Sequence, residues 1–415
     1  MRICIITPGQ IGSNPRVVKE ADALVAAGHC VTVICTKVAR FVEPRDQSIM
    51  ARARFSVRRL PFDRPFARWV ARVVQIAARY LCRKGLGSRF EPAAHSVFAS
   101  ALTRAAIAEP ADLYIAHYVA ALPAAAVAAQ RHGAAYAFDA EDFHLGDLPD
   151  LPQNQFANSL IKRIEKRYLS SATFITAASP MIAAAYAETY GLPLPATVLN
   201  VFPRTNGPSA PTAAGSQRPG PTLYWFSQVI GPGRGLEAAV EALALVRVPL
   251  QLHLRGSPAA GYEHELRRLA ASFGVADRLH LHRPIAPDAL ELDAARFDLG
   301  YAGELPHSLN RTIALTNKLF SYLTSGLPVV LSDIPAHREL APKLGQAGEM
   351  FASGSAASLA AAIERHLAGR QGLAARRAQA WELGQTKFAW DNEAHKIVGL
   401  VQACSTRLHV AHHKA

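Results

Sequence analysis

Two short stretches carry the residues best suited to hold an anion. In Ser227-Gln-Val-Ile-Gly-Pro-Gly233-Arg234-Gly235 a guanidinium sits among glycines just ahead of a helical stretch. There it can grip a phosphate by paired hydrogen bonds, reinforced by the positive end of the helix. Farther on, Thr316 or Asn317 caps a second helical stretch whose first turn holds Lys318. A lysine at that place opposes the helix dipole, and a bound anion between them removes the conflict. In the first half, Thr7-Pro-Gly9-Gln-Ile-Gly12-Ser13-Asn14-Pro-Arg16 joins a strand to a helix. Gly9 and Gly12 let backbone approach a ligand, although an ordinary strand-to-helix turn has the same composition. The spacing is not GxGxxG and no acid ends the second strand, which disfavours a dinucleotide site. His117 ends another strand, either as a hydrogen-bonded structural residue or as a reacting one. Asp139, Glu141, Asp142 and His144 follow the next strand, a composition suited to a metal, a general base or acceptor contacts. With no DxD pair, acceptor or loop-ordering contacts are the reading adopted, and no metal site is assigned.

The elements that must position these groups alternate between strand and helix. Strands are expected at Arg2–Ile6, Val31–Cys35, Leu113–Ala116, Tyr136–Asp139, Phe174–Ala178 and Thr197–Asn200, with helices such as Val17–Ala27, Leu122–Gln130 and Pro180–Tyr190 between them. Asn14 caps the first helix, Pro15 enters its first turn and Gly28 stops it. A Pro-, Gly-, Ser- and Thr-rich segment then precedes a second series of strands near Thr222–Phe226, Leu250–Leu254, Leu279–Leu281, Leu299–Tyr301 and Val329–Leu331. The corresponding helices are Leu236–Leu245, Glu263–Ser272, Lys318–Thr324 and Ala356–Leu367, with a last one near Trp390–Gln402 after a break at Gly384. This pattern predicts an α/β chain of two Rossmann-like, doubly wound domains facing a cleft. The expected bounds are a first domain over 1–204 with a basic insertion at 40–90, a linker at 205–220, and a second domain over 221–383. A helix at 384–404 crossing back to the first domain and an unstructured tail at 405–415 complete the plan.

At 415 residues, 50% hydrophobic and 19% charged, the chain is long enough for two cores and is not low-complexity. No apolar run is long enough for a spanning helix, and the apolar start reads as a strand, not a leader. Five scattered cysteines without CxxC spacing fit a reducing cytoplasm and no structural zinc. Thirteen of the 45 Lys and Arg lie between Arg40 and Arg89 against three acids, so this segment holds +10 of the net +13. The remainder is nearly balanced, which argues against a nucleic-acid partner. Within Phe66–Lys84, Arg68, Arg72, Gln75, Arg79 and Arg83 share one arc of a helix, while Trp69, Val70, Val73, Ile76 and Tyr80 cover much of the rest. Residues 64–84 therefore read either as a helix that can meet an anionic membrane surface or as one packed on the first domain with its arginines in solvent.

Taken in order, Asn14-Pro-Arg-Val-Val-Lys-Glu-Ala-Asp-Ala-Leu24, Ala116-His117, Asp139-Ala-Glu-Asp142, Gly233-Arg-Gly235, Thr316-Asn-Lys-Leu-Phe320 and Ser325-Gly-Leu-Pro-Val-Val330 resemble the family 4 glycosyltransferases of the GT-B fold. The likeness runs over nearly the whole chain and ends at Phe388-Ala-Trp390. It implies transfer of a sugar from a nucleotide-sugar donor, usually with retained configuration and with no cofactor or metal required. Arg234 and Lys318 would then clamp the donor diphosphate, with Gly233, Gly235, Gly256, Ser308, Leu309, Asn310, Asn317 and Ser321 around the donor. His117 would face the reacting centre, and Gly9, Gly12, Ser13, Asn14, Arg16, Asp139, Glu141 and Asp142 would shape the acceptor side. The acceptor would be a glycan, a lipid-linked molecule or a small molecule, reached from the cytoplasm, either free or at the inner face of the membrane. Three departures stand out. Ile313 and Ser321 occupy the places of the paired glutamates of many relatives, and Val229 that of a second phosphate-binding arginine; Arg311 and Glu304 are the residues that could compensate. A nucleotide-sugar epimerase of related fold and a catalytically degenerate partner protein are the alternatives.

Overall fold

The computed structural model describes residues 1–212 and 220–414, with Arg370 and residues 407–414 given by backbone alone. Part of the expected linker, 213–219, and Ala415 therefore lie outside the described residues. The chain divides into two compact units, Met1–Val198 joined by the chain from Glu393 onward, and Leu199–Asn392.

The first unit is built on seven parallel strands: β1 (Arg2–Ile6), β2 (Cys30–Lys37), β3 (Ser56–Pro61), β4 (Leu113–His117), β5 (Ala135–Ala140), β6 (Ile175–Ala177) and β7 (Ala196–Thr197), in the order β3-β2-β1-β4-β5-β6-β7. Ile3 lies beside Val31 on one side and Leu113 on the other. Strands covered on both faces need apolar side chains throughout, which explains the unbroken run Ile3-Cys-Ile-Ile6, all buried. The helix Pro15–Ala26 begins as its sequence dictates. The Asn14 side chain accepts from the Val17 N–H, Pro15 fills the first turn, and Val17, Ala21 and Leu24 are buried. Each such Val or Leu stabilises the unit by about 1.5–3 kcal/mol. Gly28, at φ +87°, supplies the left-handed stop.

The second unit repeats the plan with six strands: β8 (Thr222–Ile230), β9 (Gln251–Pro258), β10 (Leu279–His282), β11 (Leu299–Ala302), β12 (Val329–Ser332) and β13 (Gly348–Phe351), ordered β10-β9-β8-β11-β12-β13 and all parallel. Its core joins Leu223, Trp225, Leu236, Leu252, Leu299 and Ile363. In both sheets the strand order reverses beside the first strand, between β1 and β4 and between β8 and β11. Loops at that reversal leave a crevice in which such sheets hold ligands.

Two edge strands escape the sequence pattern. β3 reads Ser-Val-Arg-Arg-Leu-Pro and β13 reads Gly-Glu-Met-Phe, and neither alternates nor runs apolar, because an edge strand has fewer covered positions. Gly384 does not break a helix. It lies inside the helix Arg370–Thr386, where a Cβ would come within 2.6 Å of the backbone of Leu323 and Thr324. Its role is the close approach of two helices. The last helix runs from Trp390 to Lys414, so the backbone of 405–414 is helical where a tail is expected from composition.

Candidate functional site

The loop after β8 and the helix Leu236–Leu245 place Arg234 between two glycines of positive φ, Gly233 at +73° and Gly235 at +69°. Gly235 is required twice over: a Cβ would lie 2.4 Å from the carbonyl oxygen of Gly303, and the Tyr301 hydroxyl donates to the Gly235 carbonyl at 2.6 Å. The β8 and β11 loops are thus locked together at the strand reversal. Among the described residues Arg234 makes no hydrogen bond or ion pair. Burial pushes its pKa down, and the neighbouring Arg311 pushes it further; only Glu304 opposes them.

Lys318 lies in the first turn of the helix Asn317–Thr324, buried, with its ammonium 5.7 Å from the centre of the Trp225 ring. Its Nζ is 3.4 Å from Glu304 Oε1, while Arg311 reaches Glu304 Oε2 at 3.3 Å. One carboxylate thus serves two cations and faces a third. Burial would raise the Glu304 pKa, but Lys318 and Arg311 hold it below the ordinary range. Burial lowers the Lys318 pKa, and Arg234 and Arg311 add to that against Glu304. Three cations against one anion leave two positive charges uncompensated. Beside them the Thr316 hydroxyl, at the cap of the Lys318 helix, is buried without a hydrogen-bond partner, and its side chain makes no capping bond. A doubly charged anion would satisfy the charge, the hydroxyl and the unpaired amides of the helix start together.

The other donor-side expectations divide. Ser308 caps the short helix Leu309–Ile313 by accepting from the Arg311 N–H, so it orients the arginine; Asn310 is buried and Leu309 is exposed. Gly256 is required by the approach of β9 to β8, where a Cβ would meet the Ser227 carbonyl oxygen at 2.4 Å. Ser321 is buried and donates to the carboxylate of Glu291 at 2.8 Å. Its hydroxyl therefore holds Glu291 in the core instead of facing a ligand, a correction to its expected place around the donor. Ile313 is buried too, and Val229 sits half-exposed where β8 shifts register. Arg311 and Glu304, which composition alone cannot locate, both join Lys318.

In the first unit the charged residues close on one another. Arg16 is buried and binds Asp139 with two guanidinium nitrogens at 2.6 and 2.7 Å and the Val198 carbonyl with a third at 2.8 Å. His117 is wholly buried, with Nε2 2.8 Å from Glu20 and Nδ1 3.2 Å from Asp139 and 3.1 Å from Glu141. Burial alone would lower the His117 pKa, yet Asp139 and Glu20 raise it well above the ordinary value. With both ring nitrogens engaged, the imidazole has no free nitrogen to act as a base. Where contact with a reacting centre and an acceptor is expected, His117 is wholly buried and Arg16 and Asp139 are paired with each other. Glu20, His117 and Asp139 bring possible metal-ligand atoms within 4.8 Å of one another. A cation there would have to displace Arg16 from Asp139, so the donor set suits the protons and guanidinium it already holds.

Around this network, Asn14 donates to Glu141 at 2.8 Å, and Tyr118 brings its hydroxyl within 3.5 Å of the same carboxylate. Tyr118 has φ +66°, a left-handed conformation that no other described residue except glycine adopts. Gly12 is packed, not open: a Cβ would lie 2.8 Å from Arg45 and Asp46, and its N–H donates to Asp46. Gly9 meets nothing closer than 3.8 Å, Ser13 is exposed and bonds the Gln10 carbonyl, and Asp142 accepts at its carbonyl from Tyr186. Glu20 is the residue missed by sequence reading. Its signal was the four-residue spacing from Arg16, which puts both on one helix face.

Comparison with known proteins bears on the same two halves. A model for a glycosyl transferase 4-like domain matches residues 12–205, and one for glycosyl transferases group 1 matches residues 220–369. Between them they account for most of the chain. None of the curated proteins matches its sequence. Among solved structures, HepE of Anabaena in complex with UDP is 16% identical, covers 97% of this chain and 100% of its own, and superposes with a TM-score of 0.70. Sucrose-phosphate synthase from Thermosynechococcus elongatus is 14% identical over 98% and 100%, at 0.71. The catalytic domain of starch synthase IV from Arabidopsis thaliana, bound to ADP and acarbose, is 11% identical over 98% and 99%, at 0.63. At these identities the likeness is one of fold. With both halves matched in order, and two parallel sheets that each reverse beside their first strand, the chain belongs to the family 4 glycosyltransferases of the GT-B fold.

Proposed function

We propose that the donor is a nucleotide-sugar whose diphosphate binds at Arg234, Lys318 and the start of the Lys318 helix, and that its sugar passes to an acceptor hydroxyl with retained configuration. The carrying observation is the pair of uncompensated positive charges beside the unpartnered Thr316 hydroxyl. The bond from the anomeric carbon to the diphosphate oxygen breaks, and the bond to the acceptor oxygen forms. The acceptor proton passes to the departing diphosphate. Charge that grows on the leaving group is met by side chains already in place, each worth about 10²–10³ in rate where it acts. On this reading no metal is needed for the step.

Structural relatives of this fold were solved with UDP, with UDP-glucose and, for TarM of S. aureus, with UDP beside glycan molecules. They support a nucleotide-sugar donor and a glycan acceptor; a lipid-linked or small-molecule acceptor and a place in cell-surface polysaccharide or glycolipid synthesis are part of our own reading. We place the reaction in the cytoplasm, at the inner face of the membrane. His117 serves as a positioning residue: with Asn14 it holds the Glu141 carboxylate beyond β5.

A thermal-shift screen against UDP, GDP, ADP and their sugars tests the donor site. A ligand at a hundred times its Kd stabilises the fold by about 2.7 kcal/mol. The parent should respond to at least one nucleotide, and Arg234→Ala and Lys318→Ala should respond far less. No response from any nucleotide, or equal responses in all three proteins, would defeat the assignment. Epimerised donor in an acceptor-free reaction followed by NMR would show the alternative chemistry.

A further inference from the structure

The helix Pro65–Arg83 leaves both of its faces open. Arg68, Arg72 and Arg83 of its arginine row are exposed and Arg79 is half-buried, although the row also reaches groups of the first unit. Arg68 donates to the carbonyls of Phe62 and Val38, and Arg72 donates to Gln75 at 2.7 Å. Gln75, buried, donates in turn to the His95 carbonyl at 3.2 Å, and the guanidinium carbons of Arg79 and Arg83 lie 5.1 and 4.8 Å from the centre of the Phe156 ring. Only Gln75 and Ala78 of this helix are buried. The apolar face is left outside: Phe66 is 75% exposed, Trp69 63%, Tyr80 60% and Ile76 57%, with Val70, Val73 and Val74 between them. The arginines stay largely in solvent, as one alternative drawn from sequence has it, and the apolar face is exposed together with them. An exposed apolar stripe of this size has a purpose or is a liability.

Beside the stripe runs a groove of about 580 Å³, lined by Phe62, Phe66, Val70, Val74 and Val97, with Arg104 in its wall. Its mouth shares Phe66, Val70 and Val74 with the exposed face. The charge around it decides what can cover it. From Arg64 to Phe90 there are seven Lys or Arg and no Asp or Glu. A second copy would bring two such segments together and set like charges against each other. An anionic bilayer takes the aromatic and aliphatic side chains into its boundary while its headgroups meet the flanking cations.

We propose that residues 64–84 dock the first unit on an anionic lipid surface, apolar face inward, and that the groove beside Phe66 and Val74 seats one hydrocarbon chain of a lipid with its phosphate near Arg104. The proposal deepens the membrane placement given above and rests on it for its biological sense. Its test uses no transfer assay, so its failure and that of the donor site are read separately.

The full chain is floated with vesicles of phosphatidylcholine alone or mixed with phosphatidylglycerol. Recovery should favour the anionic vesicles by about tenfold or more and fall as salt rises. Lipids brominated in their acyl chains should quench the parent, and W69F should keep binding while losing most of that quenching. W69E/V73E, which alters only exposed positions and should melt like the parent, should lose at least about tenfold in recovery. V74W, which narrows the groove, should keep the fold and weaken retention of lipid. Equal recovery on both vesicle types, no recovery at all, or parent-like flotation of W69E/V73E would overturn the proposal. A dimer that W69E/V73E dissociates, without lipid binding, would assign the face to a contact between copies instead.

Discussion

The two units set charged side chains at equivalent places in their sheets and treat them in opposite ways. Beside β4 and β5, Arg16 and His117 are matched by Glu20, Asp139 and Glu141, at distances between 2.6 and 3.2 Å. Beside β8 and β11, Arg234, Arg311 and Lys318 have, of the described acids, only Glu304 among them. Removing charge from water costs several kcal/mol per ion unless partners replace the lost hydration. The first unit meets that cost internally and gains fixed loops after its strands. The second leaves part of it unmet, which is tolerable where a ligand supplies the missing charge. Burial alone does not distinguish structure from function; the charge balance does.

The comparison breaks most visibly at Asp139. Asp139→Asn leaves Arg16 buried without its partner and should cost about 3–5 kcal/mol of stability, measured by denaturant unfolding. The pH dependence follows from the same residues. Burial would raise the Asp139 pKa, but Arg16 and His117 hold it well below the ordinary carboxylate range. Its contribution is therefore present above about pH 3.9 and is lost as pH falls toward the folded value. His117 runs the other way: raised in the fold, it contributes below about pH 6.5 and loses that contribution as pH rises through its folded value. A stability curve that His117→Gln leaves unchanged on the alkaline side would contradict this.

Lys318→Ala should do the reverse, with little change in the ligand-free melting temperature and a fall of about 10²–10³ in transfer rate. Because burial and its cationic neighbours lower the Lys318 pKa from 10.5, kcat/KM should decline at a lower pH than for an ordinary lysine. Lys318→Arg should move that decline upward; an identical profile would place the titrating group elsewhere. The smallest effect is expected at Ser321. Ser321→Ala leaves Glu291 with a lost hydrogen bond, costing about 1–3 kcal/mol of stability, and should leave nucleotide affinity intact. A fall in nucleotide affinity without a loss of stability would return Ser321 to the donor site.

Much of this was legible before the fold. Central strands buried on both faces announce themselves as apolar runs, and the Asn14-Pro15 cap and Gly28 stop carry local signals that tertiary context did not override. Arg234 and Lys318 stood out because glycines and a helix start make cations conspicuous. What stayed hidden depends on distance in sequence. Glu304 and Arg311 acquire meaning only when β11 lies beside β8, and Asp139 meets Arg16 across 123 residues. The left-handed Tyr118 has no compositional mark, since glycine is what such a backbone ordinarily announces. The helix Pro65–Arg83 shows the limit of periodicity: it finds the two faces of a helix and cannot say that the protein leaves both of them exposed.

Titration calorimetry of UDP, GDP and ADP into the parent, Arg234→Ala and Lys318→Ala is the most direct measurement of the charge balance. At least one nucleoside diphosphate should bind the parent, and each substitution should weaken it by about tenfold or more, as expected for losing a charge-assisted bond. Parent-like affinity in both variants would mean that the uncompensated cations of the second unit do not receive the diphosphate.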